Sequence, residues 1–77
     1  METSTDPALI ERLAVGFVMA LRREGIDVPV GCSLTFFEAL GVIGISQREN
    51  IYWAGRSALI QHPGHIEAFD SVFAEYW

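Results

Sequence analysis

The sequence predicts an all-α protein: a compact bundle of four helices with an extended loop after the first helix. Three observations predict it. Apolar residues recur at three- and four-residue spacing in four separate stretches. Glycine, proline and side chains that suit helix caps fall between those stretches, where helix ends belong. The one β-branched stretch outside them, Ile26 to Gly31, is too short to build a sheet. Seventy-seven residues make a single helical domain, 1–77.

Met1 to Thr5 is polar, carries no apolar pattern and is expected to be disordered. Asp6-Pro7 is a good helix start, an acceptor side chain at the cap followed by proline at the first helical position. The first helix is expected from Pro7 to Glu24. Leu9, Leu13, Phe17 and Leu21 form one stripe, and Ile10, Ala14 and Val18 lie beside it. Val15 and Met19 make the middle apolar nearly all round, so it should be covered on more than one side. Gly16 is a poor helix former and would allow a close helix contact. Gly25 supplies the stop. Pro29 and its β-branched neighbours favour an extended path, with Ile26, Val28 and Val30 plugging the core. Ser33 or Thr35 caps a second helix over Leu34 to Val42, with Phe37 and Leu40 inward and Phe36 and Ile43 on a second apolar side.

The stretch expected to organise the bundle is Ser46 to Gln61. It opens with capping-box spacing, Ser46-x-x-Glu49. Ile51, Tyr52, Gly55, Ala58 and Leu59 fall on one face, which Trp53 and Ile60 widen. His62-Pro63-Gly64-His65 breaks the chain. The last helix, His65 to Trp77, carries Ile66, Phe69, Val72, Phe73 and Tyr76 inward and Glu67, Asp70 and Glu75 outward.

Charge and composition exclude several functions. The net charge is −5, and the basic residues are Arg12, Arg22, Arg23, Arg48 and Arg56, with no lysine. Such a chain cannot assemble a basic face for nucleic acid, nor one for anionic membranes. The longest apolar run, Ala14 to Leu21, is far short of a membrane span. One cysteine, Cys32, cannot form an internal disulfide and suits a reducing, cytoplasmic setting. The start is acidic and polar, unlike a secretory signal. Against this, 51% of residues are apolar and 19% charged. A small body has much surface, and here there is little charge to cover it, so apolar side chains should remain exposed and mark a contact site.

Catalytic and metal-binding patterns are weak. His62 and His65 flank Pro-Gly without a neighbouring carboxylate or thiolate, which is not a zinc pattern. Cys32 precedes a helix start, where a thiol can be activated, but a buried small apolar residue is the simpler account. Ser33 and Ser46 suit caps, and neither Ser57 nor Ser71 belongs to a recognisable histidine-carboxylate set. Gly41-x-x-Gly44 lacks the Lys-Ser/Thr of a phosphate loop. Thr35 to Gln61 has helix–turn–helix order, but its second helix offers only Arg48 and Arg56. No catalytic, cofactor or metal site is therefore expected.

Two features remain. Arg56 and Asp70 sit among large apolar residues on facing helices, and are expected either to pair and fix helix register or to stand as separate solvated charges. Trp53, Phe69, Phe73, Tyr76 and Trp77 concentrate aromatic surface on the last two helices. Most should be core, and the excess should form a docking face for a protein.

Three segments in order carry a family resemblance: Phe17-x-x-Ala20-Leu21-Arg22-x-x-Gly25-Ile26-x-Val28-Pro29; Ile51-Tyr52-Trp53-Ala54 with Ala58-Leu59-Ile60; and Phe69-Asp70-x-x-Phe73-x-x-Tyr76-Trp77. Together they resemble the N-terminal helical region of CoxE-like proteins that carry a von Willebrand factor A domain. The resemblance implies a bacterial or archaeal, cytoplasmic accessory protein. Its genes often neighbour a MoxR-type AAA+ ATPase, and some such proteins help to mature molybdenum-containing carbon monoxide dehydrogenase. The family's metal site lies in the later A domain, and its Asp-x-Ser-x-Ser pattern is absent here; Asp70-Ser71-Val72 does not match it. The chain is thus expected to be either a piece cut ahead of the A domain, slightly favoured, or a stand-alone relative. The implied function is a non-catalytic interaction or scaffolding module whose partner is an A domain of a longer parent, a MoxR-type ATPase or a client enzyme. The alternative is a self-associating module that buries its apolar surplus in a homodimer.

Overall fold

The computed structural model describes residues 7–77. Met1 to Thr5 and the Asp6 cap lie outside the described residues. Four α-helices follow in order: α1 Pro7–Arg23, α2 Val30–Ile43, α3 Arg48–Leu59 and α4 Ile66–Tyr76. A single 3-10 turn, Pro63–His65, leads into α4. Each helix packs on its neighbour in the chain, and α4 returns to α1, closing a ring around one core. The described residues contain no helix long and apolar enough to cross a membrane.

Helix α1, rather than the Ser46 to Gln61 stretch, contributes the most buried residues. It buries Ile10, Ala14, Phe17, Val18 and Leu21. Phe17 is fully enclosed. Its ring meets Phe36 of α2 at 5.9 Å and Phe69, Phe73 and Tyr76 of α4 at 5.6, 5.9 and 5.4 Å between centroids. Trp77, just past α4, joins it at 5.7 Å. Tilted and edge-to-face packing at these separations is the arrangement that ring quadrupoles favour. Helix α1 is not covered on every side: Leu9, Val15 and Met19 are exposed and Leu13 only half-buried. The buried side thus joins Phe17 and Leu21 of the expected stripe to the flanking Ile10, Ala14 and Val18, while Leu9 and Leu13 turn outward.

Gly16 does allow a close approach. Tyr76 of α4 lies over it and donates its hydroxyl to the Leu13 carbonyl at 2.8 Å, and a Cβ at position 16 would overlap that hydroxyl. Burial pushes the Tyr76 phenol above its ordinary value of 10.0. The hydrogen-bonding form is thus kept at lower pH, and its contribution is lost only as pH rises through the raised value.

The end of α1 is a Schellman cap. Gly25 takes φ 90, its N–H donates to Arg22, and the Ile26 N–H donates to Leu21. The apolar pair that accompanies that motif, Leu21 and Ile26, belongs to the one buried core cluster. Arg22 then clamps the extended segment by donating Nε at 3.2 Å and Nη2 at 2.6 Å to the Val28 carbonyl.

Helix α2 begins four residues earlier than expected. Pro29 stands at its N-cap in an extended conformation, and its carbonyl accepts from the Cys32 and Ser33 N–H groups. Ser33 and Thr35 are inside the helix and cap nothing. Their hydroxyls bond back to the Val30 and Gly31 carbonyls at 2.7 and 3.1 Å, the alternative open to such residues within a helix. Phe36 and Leu40 point inward, Phe37 is half-buried, and Val30 is exposed rather than plugging the core. The Ser46–Glu49 capping box does not form: Gln47 occupies the N-cap without a side-chain bond, and α3 stops at Leu59. Its inward residues, Ile51, Gly55 and Leu59, are those expected.

Gly16→Ala separates two effects of opposite sign. Alanine in place of glycine favours a helix by about 1 kcal/mol, whereas forcing Tyr76 aside costs about 1–3 kcal/mol. Urea unfolding should show Gly16→Ala to be destabilising in the native chain and about 1 kcal/mol less so, or stabilising, beside Tyr76→Phe. Equal costs in both backgrounds would place the constraint elsewhere.

Candidate functional site

The last two helices meet along an open groove of about 570 Å³ lined by Arg48, Glu49, Tyr52, Trp53, Asp70, Phe73 and Ala74. Tyr52 joins its two walls. Its ring is half-buried against Phe69 and Phe73, at 5.5 and 5.1 Å between centroids. Its hydroxyl donates to Asp70 Oδ1 at 2.6 Å and accepts from Arg56 Nη1 at 2.7 Å. Arg56 and Asp70 are thus brought together, but through the Tyr52 hydroxyl. The bridge links α3 to α4 at one height and resists sliding of one helix along the other. Sequence reasoning missed Tyr52, although its four-residue offset from Arg56 is the spacing that brings two helical side chains together.

The five aromatic residues expected to offer a docking face divide sharply. Phe69 and Phe73 are buried beside Phe17, and Tyr76 and Trp77 are half-buried. Trp53 alone among them is exposed, at 53%. It is nonetheless held in place: its ring stands edge-on to Tyr52 at 5.0 Å, and the Arg56 guanidinium lies 5.2 Å from its centroid. Arg48 covers the Phe73 ring at 4.9 Å. The groove therefore presents one large fixed aromatic side chain bordered by two guanidinium groups and the carboxylates Glu49 and Asp70.

The other candidates stand apart. The His62 and His65 rings are edge-to-face at 5.6 Å, and the described residues hold no group of three or more His, Cys, Asp or Glu that could bind a metal ion. Half-buried Cys32 accepts from Gln61 Nε2 at 3.0 Å. The one buried side-chain polar atom without a partner among the described residues is the Trp77 indole Nε1.

A ring of four helices around an aromatic core, with one exposed tryptophan in a shallow polar-edged groove, defines a small helical bundle domain. The sequence matches the family described as CoxE N-terminal helical bundle domain over residues 14–77. The chain belongs to that family. No curated protein and no solved structure matches it.

Removing one oxygen tests the bridge. Tyr52→Phe keeps the ring packing and should cost about 0.5–1.5 kcal/mol in unfolding free energy. Asp70→Asn should destabilise the native chain but be neutral beside Tyr52→Phe, because the coupling passes through the hydroxyl. An undiminished cost in the second background would mean that Asp70 acts by another route.

Proposed function

We propose that this chain is a non-catalytic docking module that recognises another protein through the α3–α4 groove, with Trp53 as the anchor. One observation carries the reading. Trp53 is half exposed yet fixed by Tyr52 and Arg56, so little side-chain freedom is left to lose when a partner covers it. Tryptophan and arginine are the residues most enriched where binding energy concentrates. Family membership agrees with a helical accessory domain. Within the CoxE-like setting, the partner is a von Willebrand factor A domain of a longer parent, a MoxR-type ATPase or a client enzyme undergoing maturation. That setting is bacterial or archaeal, and cytoplasmic.

A homodimer is the second reading. It is favoured by the exposed apolar side chains Val30, Leu34 and Val42 on α2 and opposed by the net charge of −5. Light scattering across a concentration series separates the two.

The anchor is tested by titrating the chain against a recombinant A domain and a MoxR-type ATPase from one CoxE-type gene cluster. Trp53→Ala should weaken binding to the true partner at least about 30-fold, the loss of a central aromatic anchor. Unfolding free energy should change by less than about 1 kcal/mol, because Trp53 lies outside the core. Unchanged affinity would remove Trp53 from the interface and with it this reading.

A further inference from the structure

A second cleft shares no residue with the α3–α4 groove. It lies between the start of α1 and the end of α2, encloses about 660 Å³, and is walled by Ile10, Phe37, Val42, Ile43 and Ile45. Val42 is 87% exposed and Ile43 39%. Helix α2 explains the exposure. Its sequence, VGCSLTFFEALGVI, carries a single charge, Glu38. A helix so apolar on every side is ordinarily covered on every side, whereas among the described helices this one packs only on α1 and α3.

The polar groups of the cleft point to what covers it. Among the described residues, Glu11 and Glu38 are its only charged lining residues. Both are exposed, and neither has a hydrogen-bond or ion-pair partner among the described residues. Among the described residues, the cleft therefore pairs an apolar floor with two unmatched carboxylates and no cation. An anionic lipid surface or a nucleic acid would be repelled. A second copy seated symmetrically would set the same two carboxylates against themselves. The chain's own first six residues, METSTD, bring two more acidic side chains and no basic one.

We infer that the α1–α2 cleft is a docking site for a basic amphipathic helix of a partner protein, with its apolar stripe on Phe37, Val42, Ile43 and Ile45 and flanking lysine or arginine on Glu11 and Glu38. Apolar contact supplies the area, and the carboxylates select the sign of the occupant. This stands independently of the Trp53 groove.

The test uses the full chain and two synthetic helical peptides of about five turns. They share one leucine and alanine stripe and differ only in flanking lysine or glutamate. Nuclear magnetic resonance titration at low ionic strength should show the lysine peptide shifting the signals of Val42, Ile43 and Ile45 and binding about tenfold more tightly than the glutamate peptide. Glu11→Gln with Glu38→Gln should remove that preference. Val42→Asp, at an exposed position, should abolish binding while the helical circular dichroism is kept. Equal affinity for the two peptides, or binding of neither, would overturn the proposal. So would contacts from residues 1–6 to Val42 in the free chain, or a dimer that Val42→Asp dissociates.

Discussion

Phe17 is the constraint on which the other contacts depend. One ring from α1 touches rings from α2 and α4, and Tyr52 of α3 is tied to the same set through Phe69 and Phe73. Every aromatic residue but Phe37 belongs to this one connected group. A chain of this size has few interior positions, so a large share of its burial energy must come from few side chains. Rings provide it, because each removes much area from water at the loss of only two rotatable bonds. The close approach of Tyr76 to Gly16 follows from the same need: α4 can lay its rings on Phe17 only if α1 offers a gap beside them.

That core also decides what is left for the surface. Four of the five aromatic residues of the last two helices expected to offer a docking face pack against Phe17. The exposed apolar surface is therefore not where aromatic residues are densest in the sequence. It includes Trp53, held by its neighbours, Leu9, Val15 and Met19 on the outer side of α1, and above all α2, whose outer side has almost no charge to solvate it. The Trp53 and α2 surfaces differ in chemistry, one edged by guanidinium and carboxylate groups alike and the other by carboxylates alone.

Much of this was legible beforehand, and the exceptions have physical reasons. The inward faces of α3 and α4 could be read because polar residues interrupt the apolar ones at regular intervals. In α2 they do not, so the helix is evident from the sequence while its rotation is not: the spacing puts Phe37 inward, and Phe36 is the ring that is fully buried. Helix starts were misjudged for a related reason. Ser33 and Thr35 have the chemistry of caps, but their hydroxyls bond back to their own helix, which the Pro29 carbonyl opens without a side-chain cap, and at α3 Gln47 rather than Ser46 takes the cap position. The pairing of Arg56 with Asp70 was half legible, since spacing puts both on facing helices while the phenol between them depends on tertiary packing. The family resemblance read from three ordered segments agrees with the family to which the chain belongs.

The central claim is that the bundle takes in the aromatic surface around Phe17 and leaves Trp53 outside. Tryptophan emission of a monodisperse monomer tests it most directly, using Trp53→Phe and Trp77→Phe so that one indole reports at a time. The account expects Trp77 alone to emit at shorter wavelength and resist acrylamide, and Trp53 alone to emit and quench like an indole in water. Equal quenching of the two, or protection of Trp53 rather than Trp77, would contradict it.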